Sequence, residues 1–183
     1  MSSPPTPDAV LSFWFDETPP RRRWIASEAF DLEVGLRFGD VHRAAALCEL
    51  DIWRATPPGR LAEIIVLDQF SRQIHRGRAE AFASDPLALA LAQTAVSLGA
   101  DQALAPERRA FLYMPYMHSE SPVIHATALA LFAGPGLEDS LAFERRHKAI
   151  IDRFGRYPHR NAALGRESTP EELAFLATPG SGF

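Results

Sequence analysis

The stretch RFGRYPHRNAALGRES, residues 153–168, holds four arginines and a histidine against a single glutamate, in a chain whose formal charge is −4. A guanidinium is a planar, permanently charged fork suited to carboxylate or phosphate, and crowding several together without anions costs free energy. Two destinations for this charge stay open. Asp68, Asp152, Glu120 and Glu167 could supply internal counter-charges and tie the C-terminal loop onto earlier helices. Alternatively Arg72, Arg153, Arg156, Arg160, Asn161 and Arg166 leave part of the cluster open to a phosphate ester or carboxylate, held bidentately.

Proton chemistry has its own candidates. In LAEIIVLDQFSRQIHRG, residues Leu61, Ile64, Ile65, Asp68, Arg72 and His75 share one helical stripe, while Val66, Leu67, Phe70 and Ile74 cover the adjacent face. A helix apolar on most sides is buried, so Asp68 and Arg72 point inward or into a cleft, and their i,i+4 spacing lets them touch. That pair is either a structural ion pair or a base whose proton affinity Arg72 lowers. His118, Ser119 and Glu120 precede a helix start, where they either cap it or form a general acid/base pair. His159, among fixed cations, is expected to titrate low and to accept a proton near neutrality. His147 lies between Phe143, Ile150 and Phe154 and reads as a core histidine. No H-E-x-x-H run or set of closely spaced ligands occurs, so no metal and no cofactor are expected.

The elements that must position these groups are punctuated by proline. Thr6-Pro7, Thr56-Pro57, Asp85-Pro86, Ser121-Pro122 and Thr169-Pro170 each look like a helix start, the first residue accepting from free amides and the proline surrendering an amide without a partner. Gly39, Gly77, Gly99, Gly134 and Gly155 look like stops. The resulting helices run over residues 7–15, 28–38, 41–50, 59–76, 86–98, 106–114, 122–133, 137–154 and 170–177. Nothing alternates like a strand. The reading is an all-α single domain over residues 1–183, a bundle or superhelix of about eight to nine antiparallel helices with short connections, and with residues 1–6 flexible. Two longer loops, 16–27 and 155–168, are candidates for function.

Composition agrees with a folded soluble chain: 183 residues, 46% hydrophobic and 23% charged. No run reads as a bilayer span and the start MSSPPTPDAV lacks signal-peptide character, so a cytoplasmic protein without membrane contact is expected. Net acidity argues against nucleic acid as a partner. The lone Cys48, beside Ala45, Ala46 and Leu47, reads as a small buried side chain. Phe13, Trp14 and Phe15 are core candidates, with a dimer contact as the alternative. No internal repeat stands out.

Several runs carry a family resemblance. LSFWFDE, TPPGRLAEIIVLDQFSRQIHRG, AFASDPLAL, ERRAFLYMPYMHSE and RFGRYPHRNAALGRESTPEELAFL closely resemble the bacterial family known as domain of unknown function 924, from Val10 to Phe183. Asp68, Gln69 and Arg72 match its LDQF-x-R run, with Ser71 where proline is usual and Gln73 where asparagine is. His118, Ser119 and Glu120 match its HSE. Arg153, Arg156, His159, Arg160 and Asn161 match RFGR-aromatic-PHRN, with Tyr157 where phenylalanine is common. After HSE the chain departs, reading SPVIHA where the family carries an acidic residue and glutamine. The resemblance implies an all-helical, tetratricopeptide-like fold and no particular reaction.

Two functions follow as expectations. In the first, Arg72, Arg156 and Arg160 hold a small anion while Asp68, His118, Glu120 or His159 moves a proton, as in a hydrolase or transferase. In the second, helix pairs present a groove to a protein partner, with the arginines as anchors. A closed pocket lined by Asp68, His118 and Arg160 favours the first; an open face with those residues mutually paired favours the second.

Overall fold

The computed structural model describes residues 5–182, all of it helix, turn and loop, with no strand among the described residues. Residues 1–4 of the segment expected to be flexible, and Phe183, lie outside that range. The chain opens with α1 (Pro7–Leu11), which runs into a π-helical stretch over Ser12–Glu17 and then a 3-10 turn at Pro20–Arg23. Helix α2 (Glu28–Ala46) follows. The central helix is built from α3 (Pro57–Ile65), a π turn (Val66–Phe70) and α4 (Ser71–Ile74) in direct succession. Then come a 3-10 turn at Ala79–Phe82, α5 (Asp85–Ser97), α6 (Pro106–Met117), α7 (Pro122–Phe132), α8 (Glu138–Phe154), a 3-10 turn at Pro158–Arg160 and α9 (Pro170–Leu176).

Proline punctuation marks the starts as expected, but two of the five expected side-chain caps are not made. Thr6, Thr56 and Thr169 accept from the amides of Ala9, Gly59 and Glu172. Thr169 and Glu172 complete a capping box, each side chain bonding the other's backbone amide. Asp85 is not a cap: its helix begins one residue earlier, behind Ser84, and its carboxylate is free to reach arginines. Ser121 occupies a cap position without a side-chain bond to the helix.

Among the expected stops, Gly99 and Gly155 adopt the left-handed conformation that ends a helix. Gly39 does not end one. Helix α2 passes straight through it, because glycine lowers helix propensity without blocking the hydrogen-bond ladder as proline does. Cys48 is exposed, not buried. The helix ends at Ala46, and Cys48 turns with a positive φ of 61°, so it leaves the stripe that its spacing implied.

The core forms around the central helix, whose residues 61–71 are buried on every side. Helix α3 packs on α1, α5 and α6, and α5, α6 and α7 each pack on the next. Phe13, Trp14, Phe30, Phe38, Phe70 and Phe111 interlock at ring separations of 4.9 to 6.4 Å, so Phe13 and Trp14 are core, with Phe15 partly buried against it. Full burial of each such ring stabilises by roughly 1.5–3 kcal/mol. A smaller cluster of Ile150, Ile151 and Tyr157, flanked by Phe154 and Phe175, seats the C-terminal loop and α9.

Candidate functional site

Asp68 lies inside the π turn of the central helix, a local register change of the kind that recurs at functional sites. Its side chain is 1% exposed, yet every lone pair that faces a donor is used. Oδ1 accepts from His118 Nδ1 at 2.6 Å and pairs with Arg72 Nη1 at 3.2 Å, while Oδ2 accepts from Gln69 Nε2 at 2.6 Å. Burial alone would raise the Asp68 carboxyl, but His118, Arg72 and these hydrogen bonds outweigh it and hold the group well below the usual carboxylate range.

A carboxylate can only accept, so His118 donates through Nδ1. No hydrogen bond engages Nε2 among the described residues. Burial pushes His118 below its ordinary value and Arg72 adds to that, against the pull of Asp68. Near neutrality the ring therefore carries one proton, on Nδ1, and presents a lone pair on Nε2.

His118 lines a cleft of about 580 Å³. Its walls are mostly apolar: Phe82, Pro86, Leu89, Pro115 and Leu164. The polar groups are Asp85, His118, Ser119, Glu120 and Arg160. Asp85 chelates Arg72 through two bonds of 2.9 and 3.0 Å and accepts from Arg160 Nη1 at 3.1 Å. The Arg160 guanidinium also lies 4.6 Å from the ring centres of both Phe82 and Tyr157. Arg72 and Arg160 are thus balanced by Asp68 and Asp85, and among the described residues the cleft holds no uncompensated cation.

Three consecutive carbonyls at the end of α6 are gripped from elsewhere. Met117 O accepts from Tyr157 Oη at 2.5 Å, His118 O from Arg160 Nη2 at 2.9 Å, and Ser119 O from His125 Nε2 at 2.8 Å. A helix end leaves such carbonyls without partners, and here side chains from α7 and the C-terminal loop supply them. His125 is itself held by Glu144 at 2.7 Å, both side chains fully buried. The backbone on either side of His118 is clamped.

The remaining candidates divide between cleft and scaffold. Glu120 lines the cleft but accepts from both terminal nitrogens of Arg166 and from the Tyr157 amide. Burial works to raise it, and those donors more than offset the effect, so it stays ionised as an anchor. Arg156 clasps Glu172, Arg153 clasps Glu171, and Asn161 bridges Ser168, Glu172 and Arg166. These tie down α9 and do not line the cleft. His159 is half-buried, held to about 4 by burial and by Arg160 and Arg72, the direction that the sequence suggested. His147 is buried with Nδ1 against Phe143 O at 2.9 Å. Of the expected counter-charges, Asp152 pairs with Lys148 and Glu167 contributes its backbone carbonyl to Arg156. Glu171, Glu172 and Asp85 pair with arginines in their stead.

Sequence reasoning missed Asp85, because it reads as a cap before proline. It also missed Tyr157, Phe82 and the His125–Glu144 pair, whose partners lie too far apart for spacing to reveal. No three His, Cys, Asp or Glu side chains converge as a metal site among the described residues.

The family described as "Bacterial protein of unknown function (DUF924)" matches residues 10–180. The chain belongs to that family. A solved structure titled "Structure of Protein of Unknown Function ATU0120 from Agrobacterium tumefaciens" is similar at 38% identity and a TM-score of 0.86, covering 93% of this chain and 96% of that one. No curated protein matches. In this DUF924 chain, HSE and LDQF-x-R meet in the Asp68–His118 contact, and PHRN supplies Arg160, which braces His118 from its carbonyl side.

Proposed function

We propose that this DUF924 protein binds a small, largely apolar molecule in the cleft and moves a proton on it through His118 Nε2. The observations that carry the reading are that a buried, ionised Asp68 holds Nδ1 of His118, that no hydrogen bond engages Nε2 among the described residues, and that His118 lines the cleft. Asp68 holds the tautomer and stabilises the imidazolium that forms, the role a carboxylate plays behind a general-base histidine. Hydrolysis of an ester-like substrate suits this arrangement: water attacks the acyl carbon, its proton passes to Nε2, and His118 returns it to the departing oxygen. Balanced charge around the cleft favours at most one negative group on the ligand over a phosphate ester, with Arg160 as its neighbour. The setting is taken to be the cytoplasm.

The second reading, a tetratricopeptide-like module that grips a peptide, draws on the internal pairing of the arginines. Thermal unfolding with millimolar hexanoate, benzoate and inorganic phosphate separates the two. Stabilisation by hexanoate or benzoate exceeding that by phosphate, and lost in Leu89→Trp, is expected if the cleft takes small apolar acids. Release of nitrophenolate from p-nitrophenyl butyrate, abolished in folded His118→Gln, is expected if the dyad is catalytic. Absence of both effects removes the small-molecule reading.

A further inference from the structure

Helix α2 turns an unusual face to solvent. Its inner side buries Phe30, Val34, Phe38, Val41 and Ala45. The opposite stripe reads Glu28, Leu32, Gly35, Leu36, Gly39 and Arg43 at helical spacing. Leu32 is 64% exposed and Leu36 79%, while Glu28 and Arg43 are exposed near the two ends. Glycine is among the poorest helix residues. A Cβ added at Gly35 or Gly39 would meet nothing within 4 Å, so no contact among the described residues calls for glycine there.

We propose that this stripe is the contact of a symmetric dimer, with α2 lying antiparallel against α2 of a second copy across a two-fold axis between positions 35 and 36. That single register sets Leu32 opposite the partner's Gly39, Leu36 opposite the partner's Gly35, and Glu28 opposite the partner's Arg43. Each leucine meets a notch, and each notch lets the two backbones approach closely. The acidic N-terminal end of one helix faces the basic C-terminal end of the other, with the two helix dipoles opposed. Two-fold symmetry makes every one of these contacts occur twice.

Arg43 is free to exchange partners. Its pair within the helix, Asp40 at 3.1 Å, has both side chains mostly in water, where such a bridge contributes little. Ile25 and Leu47, just outside the two ends of the helix, are exposed as well. An interface built on a single helix pair is small, so dissociation constants on the order of micromolar are expected. The inference is independent of how the cleft is used.

Sedimentation velocity of the full chain from about 1 to about 300 µM, with reductant to keep exposed Cys48 from cross-linking, tests it in the range where interfaces of this size form. The wild type should pass from monomer to dimer. Leu36→Glu should remain monomeric with an unchanged helical spectrum. Gly39→Leu should raise the thermal stability of the monomer, since the space is open and leucine is a better helix former, yet weaken association by about ten-fold or more. Glu28→Arg and Arg43→Glu should each weaken association, and their combination should restore it. A wild type that stays monomeric throughout overturns the proposal. So does a dimer that survives Leu36→Glu, or a charge swap that fails to rescue.

Discussion

Asp68 and His118 stand fifty residues apart in sequence and 2.6 Å apart in space. The contact joins a π turn in the centre of the domain to the C-terminal end of α6. Because Asp68 can only accept, the neutral imidazole must carry its proton on Nδ1. Histidine nitrogen NMR at pH 7 should show that tautomer for His118 and a titration midpoint below the ordinary value. Asp68→Asn should lower the midpoint further, since it removes the charge that favours the protonated ring. It should also destabilise the fold by about 3 kcal/mol, as removal of one partner from a buried charged network does. A His118 protonated on Nε2 would contradict the dyad.

Acid should unfold this protein earlier than its carboxylates alone would dictate. Burial is the leading cause that holds His42 to about 4, His147 to about 3 and His159 to about 4. The unfolded chain binds these protons near pH 6.5 and the folded chain does not, so the stability from neutral histidines is complete above that pH. It drains away as pH falls from about 6.5 toward 4 for His42 and His159 and toward 3 for His147. Urea midpoints measured across that window should fall steadily, and His147→Gln should flatten part of the slope.

Tyr157→Phe removes one bond of the three that grip the α6 carbonyls and leaves the ring packing in place. The loss should be about 1–2 kcal/mol, the cost of stranding a buried carbonyl. The His118 imidazole signals should shift with it, although Tyr157 does not hydrogen-bond that ring. An unchanged His118 spectrum would mean that the clamp holds the loop without positioning the histidine.

Thr169→Ala should weaken the start of α9 by about 1 kcal/mol. Hydrogen exchange in residues 170–176 should accelerate more than in α3, because the loss is local and the central helix keeps its packing. Equal acceleration in both would indicate that α9 unfolds only with the whole domain.

Helix content was largely legible because threonine-proline starts and left-handed glycine stops are local chemistry, readable in a few residues. Gly39 suggests a break that the structure lacks, because a lone glycine weakens a helix without ending it. Asp68 and Arg72 stand out as polar residues set among apolar ones, His118 as part of the polar run before a helix start, and folding brings them together. Asp85 was hidden because one short motif, aspartate before proline, has two uses, and only the position of two distant arginines chooses between them. The π turn could not be read at all. It is a change of hydrogen-bond register that packing imposes, and no residue type announces it.

The three-carbonyl clamp has a consequence for the order in which this molecule becomes competent. Ribosomes deliver a chain from its amino end, so the histidine emerges roughly forty residues ahead of the tyrosine and arginine that brace it. A nascent polypeptide can bury its aromatic centre during that interval, but the imidazole waits, unbraced, for its later neighbours to arrive.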